Sequence, residues 1–377
     1  MPAAPQWTPD SAARILSRAY ADSGKTRDNY LHRLERLEAV VREHQQQQQQ
    51  RKSGKQKTAT MTTIYDILAD PEGSYVALRD AYPNVNTRKN MLTLVLTLLR
   101  LSPELAAALP PGAEARWRKF HADMSGFQAA RAAKNEPSAR QMAAYVSLDE
   151  IAARYREVRR SQMQAPSSSS LAASQELVLL SLAASVPPKR CDYTSMRVVD
   201  SEADVTATDN FLVLPKVVNK KATTTREKKN KQQQQQQQQA YFVFNKYKTS
   251  ATYGRVDQPL PLALEQDVRT SLRRHPRAYL FVNRFGEPFG SNNGFGKWMT
   301  RVFEKHLGRH LGASMLRHIY ISDRVDLNES GEALSDVAAL MMHSRGVQQQ
   351  YKWSSAGLCK ALQKAADGAC SSLQASE

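Results

Sequence analysis

The residues best suited to chemistry lie late in the chain: Arg317-His318, then His343, then Tyr351 in the run Met341-Met342-His343-Ser344-Arg345-Gly346-Val347-Gln348-Gln349-Gln350-Tyr351-Lys352-Trp353. An arginine neutralises a phosphate with paired N–H donors, an imidazole adds a hydrogen bond, and a phenol can attack phosphorus to give a covalent phosphotyrosine. Together the three types point to phosphoryl transfer. Tyr320 is the rival tyrosine, but it stands three residues after Arg317 in the same predicted helix, where it packs rather than attacks.

Two further bases have positions that could serve such a site. Arg190 stands in Val186-Pro187-Pro188-Lys189-Arg190-Cys191-Asp192-Tyr193, where an apolar helix ends and two prolines fix the turn that presents it. Lys248 stands in Asn245-Lys246-Tyr247-Lys248-Thr249, at the close of a predicted strand, and Lys246 competes with it from the same strand face.

The elements that must position these residues are mainly helical. Helical spacing runs through residues 9–43, Thr63–Leu68, Ser74–Tyr82, Asn86–Leu101, Glu114–Arg131 and Leu148–Met163, the last opening on the capping-box pair Ser147 and Glu150. Asn86–Leu101 is apolar on several faces and is expected to be buried. The Gln45–Gln50 run and the basic Arg51–Lys57 stretch read as a flexible linker. Pro166 and Ser167–Ser170 read as a domain boundary.

Beyond it come an apolar helix over Leu171–Ala184 and short strands at Phe211–Val218, Tyr241–Lys246, Arg255–Pro259 and Tyr279–Val282. Helices follow at Leu262–Arg274, Gly294–Leu307, Ser314–Leu327 and Leu334–Met342. Lys220–Gln239, with threonines, a basic cluster and eight glutamines, reads as a disordered insertion in a hairpin. The expected fold class is mainly α with a small antiparallel sheet: a helical domain followed by a mixed α+β domain.

The boundaries so read are an N-terminal helical segment over 1–44, a glutamine-rich linker over 45–60, a helical domain over 61–165, a mixed domain over 170–353 and a tail over 354–377. A formal net charge of +17 suggests a polyanionic partner. Exposed bases such as Arg116, Arg118, Lys119, Arg154 and Arg159 are candidates for phosphate contact, or form an ordinary solvated face. The three cysteines, Cys191, Cys359 and Cys370, show no paired spacing, so neither a disulfide framework nor a zinc site is indicated and a reducing interior is expected. The first residues carry no signal pattern, and no apolar run approaches a membrane span, so an intracellular protein is expected.

Taken in order, Arg190, Lys248, Arg317, His343 and Tyr351 resemble the arginine, hairpin lysine, arginine, histidine-or-tryptophan and tyrosine of the tyrosine recombinases, the phage-type integrase family. The Pro-Pro-Lys-Arg-Cys-Asp-Tyr and Asn-Lys-Tyr-Lys-Thr forms look most like the divergent members of large DNA viruses, virophages and eukaryotic mobile elements. The resemblance covers about residues 170 to 353, with a weaker likeness to the family's helical core-binding domain between 60 and 163.

It implies a helical domain that clamps double-stranded DNA against the catalytic domain, a 3′-phosphotyrosine intermediate without metal, cofactor or ATP, and a homotetramer on DNA. It implies site-specific recombination or integration, with Arg190 and Arg317 stabilising charge, His343 donating to a non-bridging oxygen, and Lys248 protonating the departing 5′-oxygen. The nucleus, or a host nucleus, is the expected compartment.

One position departs from the pattern. The family usually has His or Lys three residues before the second arginine, where this chain has Ser314, which can hydrogen-bond a phosphate but is no strong proton carrier. Either activity is then slower, or His318 or a water assists. Two rival readings stand beside the recombinase: a type IB topoisomerase with the same chemistry, and a catalytically inert DNA-binding descendant. The tail, with Leu358, Ala361, Leu362 and Ala365 at helical spacing, could dock on a neighbouring protomer.

Overall fold

Thr8, whose side chain accepts from the Ser11 N–H, and Pro9 behind it start the first helix, α1 (Pro9–Ala19). It is followed by α2 (Gly24–Ser53), α3 (Ile64–Ala69), α4 (Pro71–Ala81), α5 (Val85–Leu101), α6 (Pro103–Ala108) and α7 (Ala113–Ala133). These form one of two compact units, Met1–Ala133; the other is Lys134–Glu377. The computed structural model describes residues 7–53, 63–164, 170–216, 239–326, 330–354, 358 and 363.

In the first unit α5 is the buried helix, with Met91, Leu92, Leu94, Val95, Leu98 and Leu99 in a core shared with Leu16, Leu34, Leu37 and Trp117. α1 and α2 therefore belong to the same core as α3 to α7. The glutamine run differs from its reading as a flexible linker: α2 continues through Gln45–Gln50 to Ser53. Glutamine is a good helix former, and no Pro or Gly interrupts the stretch. Residues 54–62 lie outside the described ones.

The second unit begins with α8 (Ala139–Ala143), α9 (Leu148–Gln164) and α10 (Leu171–Ser185). The Ser147–Glu150 capping box forms at the start of α9, with the Ser147 N–H donating to Glu150 at 2.7 Å and the Glu150 N–H donating to Ser147 at 3.1 Å. The chain divides at 133/134 rather than near Pro166. The reason is packing: Leu148, Ile151 and Tyr155 of α9 lie in the same core as Leu177, Leu180 and Leu182 of α10.

The sheet comprises β1 (Arg197–Val199), β2 (Phe211–Val213), β3 (Tyr241–Phe244) and β4 (Val256–Pro259) in that order. β1 pairs parallel with β2 (Arg197↔Phe211), whereas β2–β3 (Phe211↔Val243) and β3–β4 (Phe242↔Gln258) are antiparallel. The sheet is therefore mixed, not wholly antiparallel. β1, Arg-Val-Val, is exposed or half-buried and shows no alternation, so the sequence gives no strand pattern there. Tyr279–Val282 is not a strand; Tyr279 makes an isolated bridge to Arg197. The insertion joins β2 to β3, as a hairpin requires, but except for Gln239 it lies outside the described residues.

The remaining helices are α11 (Ser250–Tyr253), α12 (Leu262–Arg274), α13 (Asn292–Leu307), α14 (Ala313–Arg324), α15 (Gly331–Leu340) and α16 (Arg345–Tyr351). Asp267 of α12 ties three helices. Its buried carboxylate accepts from the Tyr155 hydroxyl at 2.6 Å, the Ser181 hydroxyl at 2.9 Å and the Arg159 Nε at 2.8 Å. That anchors α10, which leads into the turn of Pro188, Lys189 and Arg190.

Of the tail, only Ser354, Leu358 and Gln363 are described, and Leu358 packs on the unit's own core rather than standing free for a neighbour. No helix among the described residues is long and apolar enough to cross a membrane.

Candidate active site

α10 ends at Val186 because Pro187 and Pro188 can neither donate to a helix nor let the preceding residue stay helical. The carbonyl of Pro188 then accepts from Nε of Arg317 at 3.2 Å, and Nη2 of Arg317 donates to the carbonyl of Met341 at 3.3 Å. Arg317, 2% exposed, thus joins the turn after α10 to the end of α15. Its guanidinium lies over the Tyr351 ring, 5.8 Å from the centroid. Burial lowers its pKa from the usual arginine value, which its interaction with Tyr351 opposes.

The turn after α15 is unusual. Met342 has φ of 57°, left-handed for a residue with a side chain, which costs about 1–2 kcal/mol. Three bonds hold the segment: Arg317 to Met341 O, the Thr249 hydroxyl to Met342 O at 2.9 Å, and the His343 N–H to Ala338 O at 3.0 Å. The strained turn aims His343 inward, 4% exposed, its ring nearly parallel to that of Tyr351 (centroids 5.8 Å, 19°).

Neither His343 ring nitrogen has a hydrogen-bond partner among the described residues. Burial first, then the charges of Arg317, Arg190 and Lys189, hold its pKa down to about 4. It is therefore a neutral imidazole near pH 7, with one donor and one acceptor nitrogen.

α16 delivers Tyr351. Ser344 caps it by accepting from the Val347 N–H and the Lys352 N–H closes it on Gln349 O, while Lys352 Nζ ties it to α14 by donating to the carbonyls of Ile321, Ser322 and Val325 at that helix's end. His318 fixes the backbone of Tyr351: Nδ1–H donates to Tyr351 O at 2.9 Å, Nε2 accepts from the Gln141 amide at 3.2 Å, and the ring stacks on Trp353 at 4.8 Å. Both ring nitrogens of His318 are thus engaged within the fold. Ser314 is exposed on the first turn of α14 and lines a cavity with His318, Gln141 and His310. Tyr320 is packed against both neighbouring cores.

The structure brings Arg317, His343 and Tyr351 together. Arg190 is exposed, with its N–H on Asp192 at 3.3 Å, and its charge acts on both Arg317 and His343. Lys248 and Lys246 are exposed in the loop after β3, and neighbouring Thr249 ties that loop to the His343 turn. Several bases proposed for phosphate contact are paired internally instead: Arg116 with Glu72, Arg118 with Glu114, Arg154 with Glu157 and Arg159 with Asp267.

Sequence reasoning missed Lys189 and Asp192. Lys189 is 2% exposed and faces the cluster that its exposed neighbour Arg190 borders. Their adjacency in one motif was the only signal.

The neutral state of His343 gives a pH prediction. In the unfolded chain it titrates near 6.5 and in the folded chain near 4, so between those values the unfolded state binds more protons and stability falls as pH drops. The urea midpoint of His343→Phe is expected to fall less than that of wild type between pH 7 and pH 4.5. Equal falls would show that His343 is not held neutral.

No protein-family profile matches this chain, and no curated protein does. Among solved structures it is similar to XerA recombinase, at 12% identity and a TM-score of 0.35, over 94% of this chain and 98% of that one. At that score the likeness carries no argument, and the functional reading rests on the site.

Proposed function

We propose that this chain cuts and rejoins DNA strands through a phosphotyrosine on Tyr351, as a tyrosine recombinase or integrase. The observation that supports it most is that a phenol, a buried arginine and an unpartnered neutral imidazole, from two helices and a strained turn, meet at one point. Tyr351 Oη attacks a backbone phosphate and gives a 3′-phosphotyrosine and a free 5′-hydroxyl. Arg317 and Arg190 stabilise the charge of the five-coordinate transition state. His343 offers its N–H to a non-bridging oxygen and its other nitrogen to the phenol proton. Because the ester stays at phosphotyrosine energy, another 5′-hydroxyl can reverse the step without ATP.

A random-sequence duplex library nicked so that the short 5′-hydroxyl fragment diffuses away tests this. Wild type traps SDS-resistant adducts, and Tyr351→Phe traps on the order of 10³-fold fewer. Equal trapping by the two proteins, or none by wild type, would refute the reading.

A further inference from the structure

Lys189 is a buried cation whose Nζ has no hydrogen-bond partner among the described residues. A lysine buried for structure alone is expected to be paired, because an uncompensated ammonium is expensive out of water. The Asp192 carboxylate acts on it electrostatically but accepts from the Arg190 N–H instead. Nζ sits 5.1 Å from the centroid of the Phe244 ring, on β3.

Lys189 directly follows Pro188, whose carbonyl accepts from Arg317 Nε at 3.2 Å; Arg317 lowers the Lys189 pKa, and Lys189 in turn lowers that of His343. Three cations, Lys189, Arg190 and Arg317, thus gather with one carboxylate, and the donors of Lys189 and His343 remain free. A phosphodiester held by Arg317 and the exposed Arg190 would supply the missing acceptor.

We propose that Lys189, rather than Lys248, gives the proton to the departing 5′-oxygen at the site formed by Arg317, His343 and Tyr351, an inference that rests on the strand-cleavage reading above. As the Tyr351 Oη–P bond forms and the P–O5′ bond breaks, a proton moves from Lys189 Nζ to O5′, leaving a neutral amine, while the phenol proton passes to the free nitrogen of His343. Rejoining runs the same transfers backwards. Nothing is oxidised or reduced. Burial, with Arg317 adding to it, brings the Lys189 pKa from 10.5 down to about 7, where an ammonium both holds and releases a proton near neutrality. Lys248, exposed on its loop, lacks that burial.

A duplex captured from the library is remade with sulfur in place of the bridging 5′-oxygen, since a thiolate leaves without a proton. On the oxygen substrate Lys189→Met and Lys189→Arg are expected to form adduct about 10²-fold or more slowly than wild type. On the sulfur substrate both should come within about threefold of it, a selective rescue expected of a proton donor. Lys189→Arg keeps the charge and guards against a folding defect. Lys248→Met should show no selective rescue. Equal defects on both substrates, no defect on either, or rescue confined to Lys248→Met would overturn the assignment to Lys189 while leaving cleavage by Tyr351 intact. Absence of any wild-type adduct would instead remove the strand-cleavage reading, and this one with it.

Discussion

Arg317→Ala is expected to lose about 10²–10³-fold in the rate of adduct formation and about 2–4 kcal/mol of folding stability. The first loss follows from removing a donor that meets charge as it develops on phosphorus. The second follows from the two carbonyls, Pro188 O and Met341 O, to which Arg317 donates. Each buried carbonyl left without a donor costs about 1–3 kcal/mol, and relief of burying a guanidinium beside Lys189 and Arg190 offsets part of that.

Arg317→Lys should recover little, because one ammonium on a flexible stem cannot replace the Nε and Nη2 of a planar fork. Single-turnover trapping and urea denaturation measure the two effects. A variant that keeps its stability but loses adduct would show that the two carbonyl bonds contribute little.

Lys189→Met is expected to move stability the other way, raising it by about 1–4 kcal/mol. Methionine keeps the volume and the contact with Phe244 and removes a buried, unpartnered charge next to Arg317. The sign can be checked by pH. Lys189 titrates near 10.5 unfolded and near 7 folded, so between those values the unfolded chain binds more protons and wild type gains stability as pH rises. The gap between variant and wild type should be widest at or below pH 7 and narrow toward pH 10. A variant less stable than wild type at pH 7 would mean that the ammonium has a partner in solution. Gain of stability with loss of activity is the pattern expected where a strained group is kept for function.

Much of the fold was legible because helix signals are local and repeated. α12 matches its predicted span, Leu262–Arg274, and α9 opens on the capping box read from Ser147 and Glu150. What failed was either short or non-local. β1 has three residues, and its parallel partner lies across a connection. The boundary at Pro166 was a compositional signal, whereas the division is set by apolar residues of α9 that meet α10 in space. α16 was not read as a helix because glutamines carry no apolar period.

At the site, Arg317, His343 and Tyr351 were legible from type and order, and the structure gathers them. It could not be read which of two adjacent bases, Lys189 or Arg190, faces inward, because a turn after two prolines has no periodicity from which to infer a face. Burial decides it for Lys189. The left-handed Met342 was equally hidden, since a non-glycine residue gives no sign of positive φ. It is held there by Arg317 and Thr249, far away in sequence.

Whether Tyr351 is the nucleophile is measured most directly by the mass of the linked peptide. Wild-type adduct from the nicked library, trimmed with nuclease and digested with trypsin, should carry a 3′-nucleotide on the peptide containing Tyr351. A nucleotide on Tyr320, on any other residue, or on no peptide at all would contradict it.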